Sequence, residues 1–382
     1  MFGYLAFFRT TNLFGIQSPP KLTNMIQMIL TLKVTGIAFE INTAYMTIEK
    51  NKKLSAKTSK KVDETTELTE CDMELYNINF IDLFCYSFNY IGLLTGPYYR
   101  YRTYRDYFNT PFRHYADSKN VTIKKLKWCA IYSIIHVITG YIWPINYAME
   151  AEFYEKCSLL YRVFYMCPIY LIFRTRLYVG LILGECVCTS AGFGAYPDES
   201  DVARGGGPRK KYLHLKRDCE KLTYNFDTVK SMDVYCIETH PTLRETVRHW
   251  NICVQYWLAM YIYKRFPSKK YRQLATFVAS AFWHGFHPGF YFCLVGAAFY
   301  GFVEEIHYQM WKGVTGLKSK FVYAAFLTTK VFAYSYLTVP FILLKFNDLW
   351  RYYSSIYHLG YIYFFIMVIT AILATKYKKK SE

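Results

Sequence analysis

Long uncharged runs alternate with short basic connectors along this chain. Trp128–Met149 and Ile356–Thr375 contain no Asp, Glu, Lys or Arg, and Gln273–Val303 extends for 31 residues without one. That last run is interrupted only by His284, His287 and the pair Pro288-Gly289. Phe321–Leu344 carries a single charge, Lys330. Leu83–Tyr99, Cys157–Phe173 with Arg162, Leu22–Ile48 with Lys33 and Glu40, and Trp250–Tyr263 are shorter or less pure. A helix crossing the hydrocarbon core needs about 20 apolar residues at 1.5 Å per residue, so the pattern predicts roughly seven or eight crossings. Pro288-Gly289 should break the 31-residue run into a hairpin, since Pro and Gly interrupt a helix.

Composition agrees with this reading. Of 382 residues, 53% are hydrophobic and 20% aromatic, which excludes intrinsic disorder. Charged residues reach only 19%, too few for an ordinary soluble domain. The mean hydropathy of +0.04 averages greasy blocks with basic connectors. The expected fold class is all-α, a polytopic integral membrane protein. Lys and Arg number 46 against 28 Asp and Glu, a net charge of +18. This excess lies largely in the connectors, so it reads as membrane topology, and no nucleic-acid partner is expected. The 11 cysteines are odd in number, lie mostly inside apolar runs and form no CxxC pair, as befits small buried hydrophobes in a reduced setting. No cleavable signal peptide is visible, because Met1–Phe8 is short and is followed by Arg9.

The connectors suggest an orientation. Asn51–Glu74, basic and then acidic, is expected to be a solvated linker (taken as 50–74). Arg100–Lys127, with eight basic and two acidic residues, favours the cytosolic face, as does Lys264–Arg272, with five basic and none acidic. The tail 376–382 ends Lys378-Lys379-Lys380-Ser381-Glu382, which reads either as a dilysine retrieval signal of the endoplasmic reticulum or as a basic membrane flank. Both readings place it in the cytosol. Arg204-Gly205-Gly206-Gly207-Pro208 lacks the Lys-Ser/Thr ending of a P-loop and is expected to be a flexible turn. Between Arg174 and Arg248 the alternation of sides fails, and a re-entrant segment at Leu177–Gly194 is one solution.

Two polar residues inside apolar segments are candidates for chemistry. Asn251 precedes Lys264 by 13 residues and His284 follows Arg272 by 12. On antiparallel helices both would lie about 18–20 Å from the cytosolic end. Gln255 is one turn from Asn251 on the same face. An imidazole there can take a proton from an attacking hydroxyl, and an amide can orient it or donate to a developing oxyanion. Groups this costly to bury in a membrane are functional candidates, although a polar pair can also simply glue two helices. His287, three residues after His284, raises the question of a metal, but no carboxylate or Cys lies close in sequence, so no metal is expected.

Trp250-Asn251 with Val254 and Trp257-Leu258, followed by Ser280-Ala281-Phe282-Trp283-His284-Gly285-Phe286-His287-Pro288-Gly289, resembles the membrane-bound O-acyltransferase family. Thr95-Gly96-Pro97-Tyr98-Tyr99-Arg100-Tyr101-Arg102-Thr103-Tyr104, Ala191-Gly192-Phe193-Gly194-Ala195-Tyr196-Pro197 and Gly205-Gly206-Gly207-Pro208 resemble its lysophosphatidylinositol acyltransferase branch. The likeness runs from Tyr4 to about Thr375. It implies one membrane domain over 1–382, with helices bundled around a substrate tunnel, in the endoplasmic reticulum membrane. His284 would be the essential histidine and Asn251 its partner. Acyl-CoA would be the donor, as co-substrate with no cofactor, and lysophosphatidylinositol the acceptor, with a preference for arachidonoyl and similar chains. Transfer to the sn-2 hydroxyl would be direct, in keeping with the absence of a nucleophilic Ser or Cys motif. Gln255, Trp283, Arg100, Arg102, Arg265 and Lys269 are further candidates for substrate contact, the basic ones for CoA phosphates or for topology alone. The family usually begins with two or three more membrane helices ahead of the segment resembling Met1–Thr10. Competing readings are a family member with another acceptor (another lysophospholipid, a sterol or a protein) and a transporter, whose expected internal repeat is not found.

Overall fold

The computed structural model describes residues 1–57 and 73–381. Helices dominate; among the described residues, strand pairing is confined to two small antiparallel ladders, Tyr196–Pro197 with Tyr224–Asn225 and Val202–Ala203 with Gly207–Pro208. The chain divides into two compact units. The first comprises Met1–Cys129, Gly180–Met232 and Asn251–Arg265; the second comprises Ala130–Val179, Asp233–Trp250 and Phe266–Glu382.

Among the described residues, five helices are long and apolar enough to cross a membrane. They lie in Lys21–Lys53, Leu159–Ser190, Pro288–Trp311, Leu317–Leu343 and Leu359–Lys376, with a shorter apolar helix at Ile252–Tyr263. Three expectations are corrected. Leu83–Tyr99 is not a crossing: the helix Phe80–Phe88 has nine residues, and Asn89, Gly92 and the cis Gly96-Pro97 bond carry the chain away in turns. The apolar run from Trp128 is the second half of a 25-residue helix, Ser118–Ile142, which ends before Trp143-Pro144 instead of running on to Met149. Leu177–Gly194 is not re-entrant, because Leu159–Ser190 is one continuous 32-residue helix that absorbs Pro168, Arg174, Arg176 and Glu185. The expected hairpin is present, with Arg272–His284 and Pro288–Trp311 separated by three residues and Pro288 at the first helical position, where its missing N–H costs nothing. The linker expectation falls mostly outside the described residues; its start, through Lys57, continues the helix from Lys21.

In the first unit, two buried charges organise the packing. Lys33 donates to the Tyr99 hydroxyl at 3.0 Å and to the Tyr86 carbonyl at 3.4 Å. Glu40 accepts from Tyr261 at 2.9 Å and pairs with the Arg100 Nε at 3.3 Å. A charge taken out of water survives folding only with such partners. Tyr98 donates to Glu40 as well, at 3.4 Å, and Gly36 makes room for it, since a β-carbon there would come within 2.5 Å of the Tyr98 hydroxyl.

In the second unit, two buried charges on long helices clamp the segment Asp233–Trp250. Lys330 donates to the carbonyls of Ile237 at 3.0 Å, Glu238 at 3.4 Å and His240 at 2.6 Å, closing the C-terminal end of the short helix Val234–Thr239. Those carbonyls have no partner within the helix, and an ammonium is the favourable charge at that end. Glu304 accepts from the Leu243 N–H at 2.7 Å at the start of the helix Leu243–Arg248, the end at which a carboxylate is favoured. Glu238 is in turn held by Tyr178 and Arg174, each at 2.8 Å. The core beneath is aromatic, with Tyr336 stacked on Tyr353 at 4.2 Å between ring centroids.

Candidate active site

Asn251 belongs to the first unit. It stands just before the helix Ile252–Leu258, which continues as a wider π-turn over Ala259–Tyr263, and its backbone is left-handed, with φ 45° and ψ 53°. Among non-glycine residues, Asn tolerates this region best. The conformation is held from below. Ile252 N–H donates to the Ser231 carbonyl at 2.7 Å, and Asn251 N–H points at the Met232 sulfur at 3.2 Å. Ser231 and Met232 are fixed by the buried Glu185 carboxylate, which accepts both N–H groups at 2.7 and 3.0 Å and pairs with Lys125. Gln255 is half-buried one turn on, its N–H bonded to the Asn251 carbonyl at 3.0 Å.

The glycine run that was expected to be a loose turn is instead buried and packed. A β-carbon on Gly206 would meet the Tyr256 ring at 2.7 Å, and one on Gly205, at φ 73°, would meet the Cys253 backbone at 3.1 Å. The run therefore lies directly on the helix that Asn251 starts. Trp257, fully buried, anchors that helix by donating to the Leu32 carbonyl at 2.9 Å.

His284 belongs to the second unit and is the last residue of the helix Arg272–His284. It is half-buried in an aromatic setting, with Trp283 at 4.8 Å, Phe341 at 5.1 Å and Phe290 at 5.8 Å between ring centroids. Gly285 ends the helix, and a β-carbon there would strike Phe290 at 2.7 Å. Gly289 is pressed against the Pro340 carbonyl and donates its N–H to Leu344 at 3.1 Å. The bend thus brings Phe341, from the end of Leu317–Leu343, against the imidazole. Trp283 is buried, whereas His287 is exposed at the start of the next helix.

The basic candidates divide. Arg100 is turned towards Glu40, which holds the guanidinium well above its usual range. Arg102 is buried, donates to the Pro208 carbonyl and lies over the Tyr212 ring at 5.9 Å. Arg105 pairs with Asp106 and Glu74, both at 3.2 Å. Asp106 also accepts from Tyr196 at 2.7 Å and Tyr212 at 2.6 Å. Burial, with Asp106 adding to it, pushes both phenols above their usual range, so they remain donors. Arg102 and Arg105 therefore hold the first unit together and do not offer a charged face to a soluble anion. Arg265 and Lys269 are exposed, Arg265 with its guanidinium 4.4 Å from the Phe39 ring centroid.

One cluster escaped sequence reasoning. Cys236, His240 and His249 in the second unit bring one donor atom each to within 4.8 Å of one another. Their only sequence signal is a Cys and a His four apart at the end of a six-residue helix.

The profile of the membrane-bound O-acyltransferase family matches residues 20–344. The chain is 49% identical over 390 residues to the membrane-bound acylglycerophosphatidylinositol O-acyltransferase frj of Drosophila melanogaster, covering 100% of this chain and 78% of that protein. It is 35% identical over 363 residues to the mboat7 protein of Xenopus laevis and 33% identical over 372 residues to MBOAT7 of Homo sapiens, both bearing the same enzyme description. Each alignment covers 93% of this chain and 74% of the relative. With five apolar helices, the two motifs around Asn251 and His284 and this coverage, the chain belongs to the membrane-bound O-acyltransferase family and is a polytopic acyltransferase.

Proposed function

We propose that this chain transfers an acyl group, arachidonoyl or a similar polyunsaturated chain, from acyl-CoA to the sn-2 hydroxyl of lysophosphatidylinositol. The reaction would remodel phospholipids in the endoplasmic reticulum membrane. The observation that carries the reading is the name shared by relatives aligned along nearly the whole chain, acylglycerophosphatidylinositol O-acyltransferase. His284 acts as general base: the lipid hydroxyl gives its proton to the imidazole as its oxygen bonds to the thioester carbonyl. The carbon–sulfur bond then breaks, and the CoA thiolate recovers the proton from the imidazolium. Asn251 orients a reacting group or donates to the oxyanion. What supports these roles is the placing of His284 among the rings of Trp283, Phe290 and Phe341, and the rigid mounting of Asn251. Gln255, one turn from Asn251, and Trp283, next to His284, are further residues for substrate contact, and the exposed Arg265 and Lys269 for the CoA phosphates. Arg100 and Arg102 act from behind, by fixing the fold.

Membranes expressing the chain, given labelled arachidonoyl-CoA and a panel of lysophospholipids, test this. Label is expected in phosphatidylinositol and to vanish in His284→Ala. Label in another lipid would reassign the acceptor, and undiminished activity of the variant would end the general-base role.

A further inference from the structure

Asp233–Trp250 is a short segment held by unusual means: a buried ammonium on three carbonyls at one point and a buried carboxylate on an N–H at another. Neither group touches the acyl-transfer residues. The clamp fixes three metal-binding side chains. Cys236 and His240 are four apart, at the end of the helix Val234–Thr239, and so share a face. The Asp233 side chain caps that helix by accepting from Cys236 N–H at 3.3 Å. His249 is returned to the same place because the Asp233 N–H donates to its carbonyl at 3.1 Å. The His240 and His249 rings then stack at 5.4 Å with an interplanar angle of 11°. All three residues are half-buried, with their donor atoms within 4.8 Å of one another.

We infer that Cys236, His240 and His249 form a zinc-binding site. One thiolate and two imidazoles are a soft, nitrogen-and-sulfur donor set that suits Zn(II) and offers nothing to Ca(II) or Mg(II), which require oxygen. Tetrahedral zinc with bonds of about 2.0–2.3 Å places its donors about 3.5 Å apart. Side-chain rotation of about 1 Å closes the difference. Two nearby charges are held by other partners, Glu238 by Arg174 and Tyr178 and Lys330 by the helix carbonyls. With three protein ligands, tetrahedral zinc would take water as its fourth. His249 precedes Asn251 by two residues in the chain, so the ion would tie down the segment that leads into the candidate active site. The role is positional, and no step of acyl transfer passes through the metal.

The full chain, purified in detergent and dialysed against a weak chelator, is expected to retain one zinc per molecule by elemental analysis. Cys236→Ser and His249→Ala should each weaken zinc binding by more than the roughly 10–100-fold lost with an outer partner alone. His307→Ala, a histidine elsewhere, should bind as the parent does. Cobalt substitution should give a thiolate-to-metal charge-transfer band that is missing in Cys236→Ser. Zinc at trace level in the folded parent, or a band that persists without Cys236, overturns the site. If the variants do not fold, the cobalt spectrum of the parent decides alone, and the absence of a thiolate band overturns the proposal.

Discussion

Asn251 combines a left-handed backbone with a proposed chemical role, and the two can be separated. A left-handed φ of 45° costs an Ala about 1–2 kcal/mol, whereas a Gly adopts it freely. Asn251→Ala should therefore lose both thermal stability and activity, and Asn251→Gly should lose activity while unfolding no earlier than the parent. Full activity in the glycine variant would mean that only the turn matters. For the histidines, His284→Ala should lower kcat by roughly 10²–10⁴-fold, the usual contribution of a general base. His287→Ala, exposed at the next helix start, should change kcat much less. The reverse order in a steady-state assay would exchange their roles. Both residues were legible in the sequence because polar groups inside apolar runs stand out. Cys236, His240 and His249 were not, because their meeting depends on a hydrogen bond from Asp233 to His249 across 16 residues.

Element boundaries followed hydropathy where apolar runs were long and clean, and failed where buried polar groups had distant partners. Leu159–Ser190 could not be read as one helix, because Arg174 finds Glu238 64 residues later and Glu185 receives N–H groups from Ser231 and Met232. Leu83–Tyr99 has the composition of a span, but its turn residues prevail after Phe88. The lone charge in Phe321–Leu344 was visible, yet its work on three carbonyls some 90 residues upstream was not. Lys330→Met keeps the stem of this side chain and removes its donors. It should cost about 3 kcal/mol or more, since each buried carbonyl left unpaired costs about 1–3 kcal/mol. A clear fall in Tm is expected in detergent, and an unchanged Tm would show that those carbonyls find other donors. Gly206→Val tests the packed glycine run in the same assay. Its side chain must displace the Tyr256 ring, so both Tm and activity should fall, whereas a loose turn would tolerate the change.

At the scale of the whole molecule, the +18 charge bears on which ends of the helices face the cytosol. Lys264–Arg272 separates the helix that follows Asn251 from the one that ends at His284, and each residue stands at the end of its helix away from that connector. If the connector is cytosolic, the side its five basic residues favour, the bend at Gly285–His287 faces the other way. The C-terminal end of Leu359–Ser381 should lie on the connector's side, because Pro288–Trp311, Leu317–Leu343 and this last helix make three crossings counted from the bend. A cysteine at each place, in a background lacking Cys71 and the exposed Cys85, makes this measurable with an impermeant thiol reagent on sealed microsomes. Ser268→Cys and a cysteine added after Glu382 should react at once, and Phe286→Cys only after the membrane is opened. Simultaneous reaction of Ser268→Cys and Phe286→Cys would mean that the 13-residue helix Arg272–His284, about 20 Å long, does not carry His284 away from the cytosolic face. Both proposed substrates would then have to reach the proposed base from one side of the bilayer.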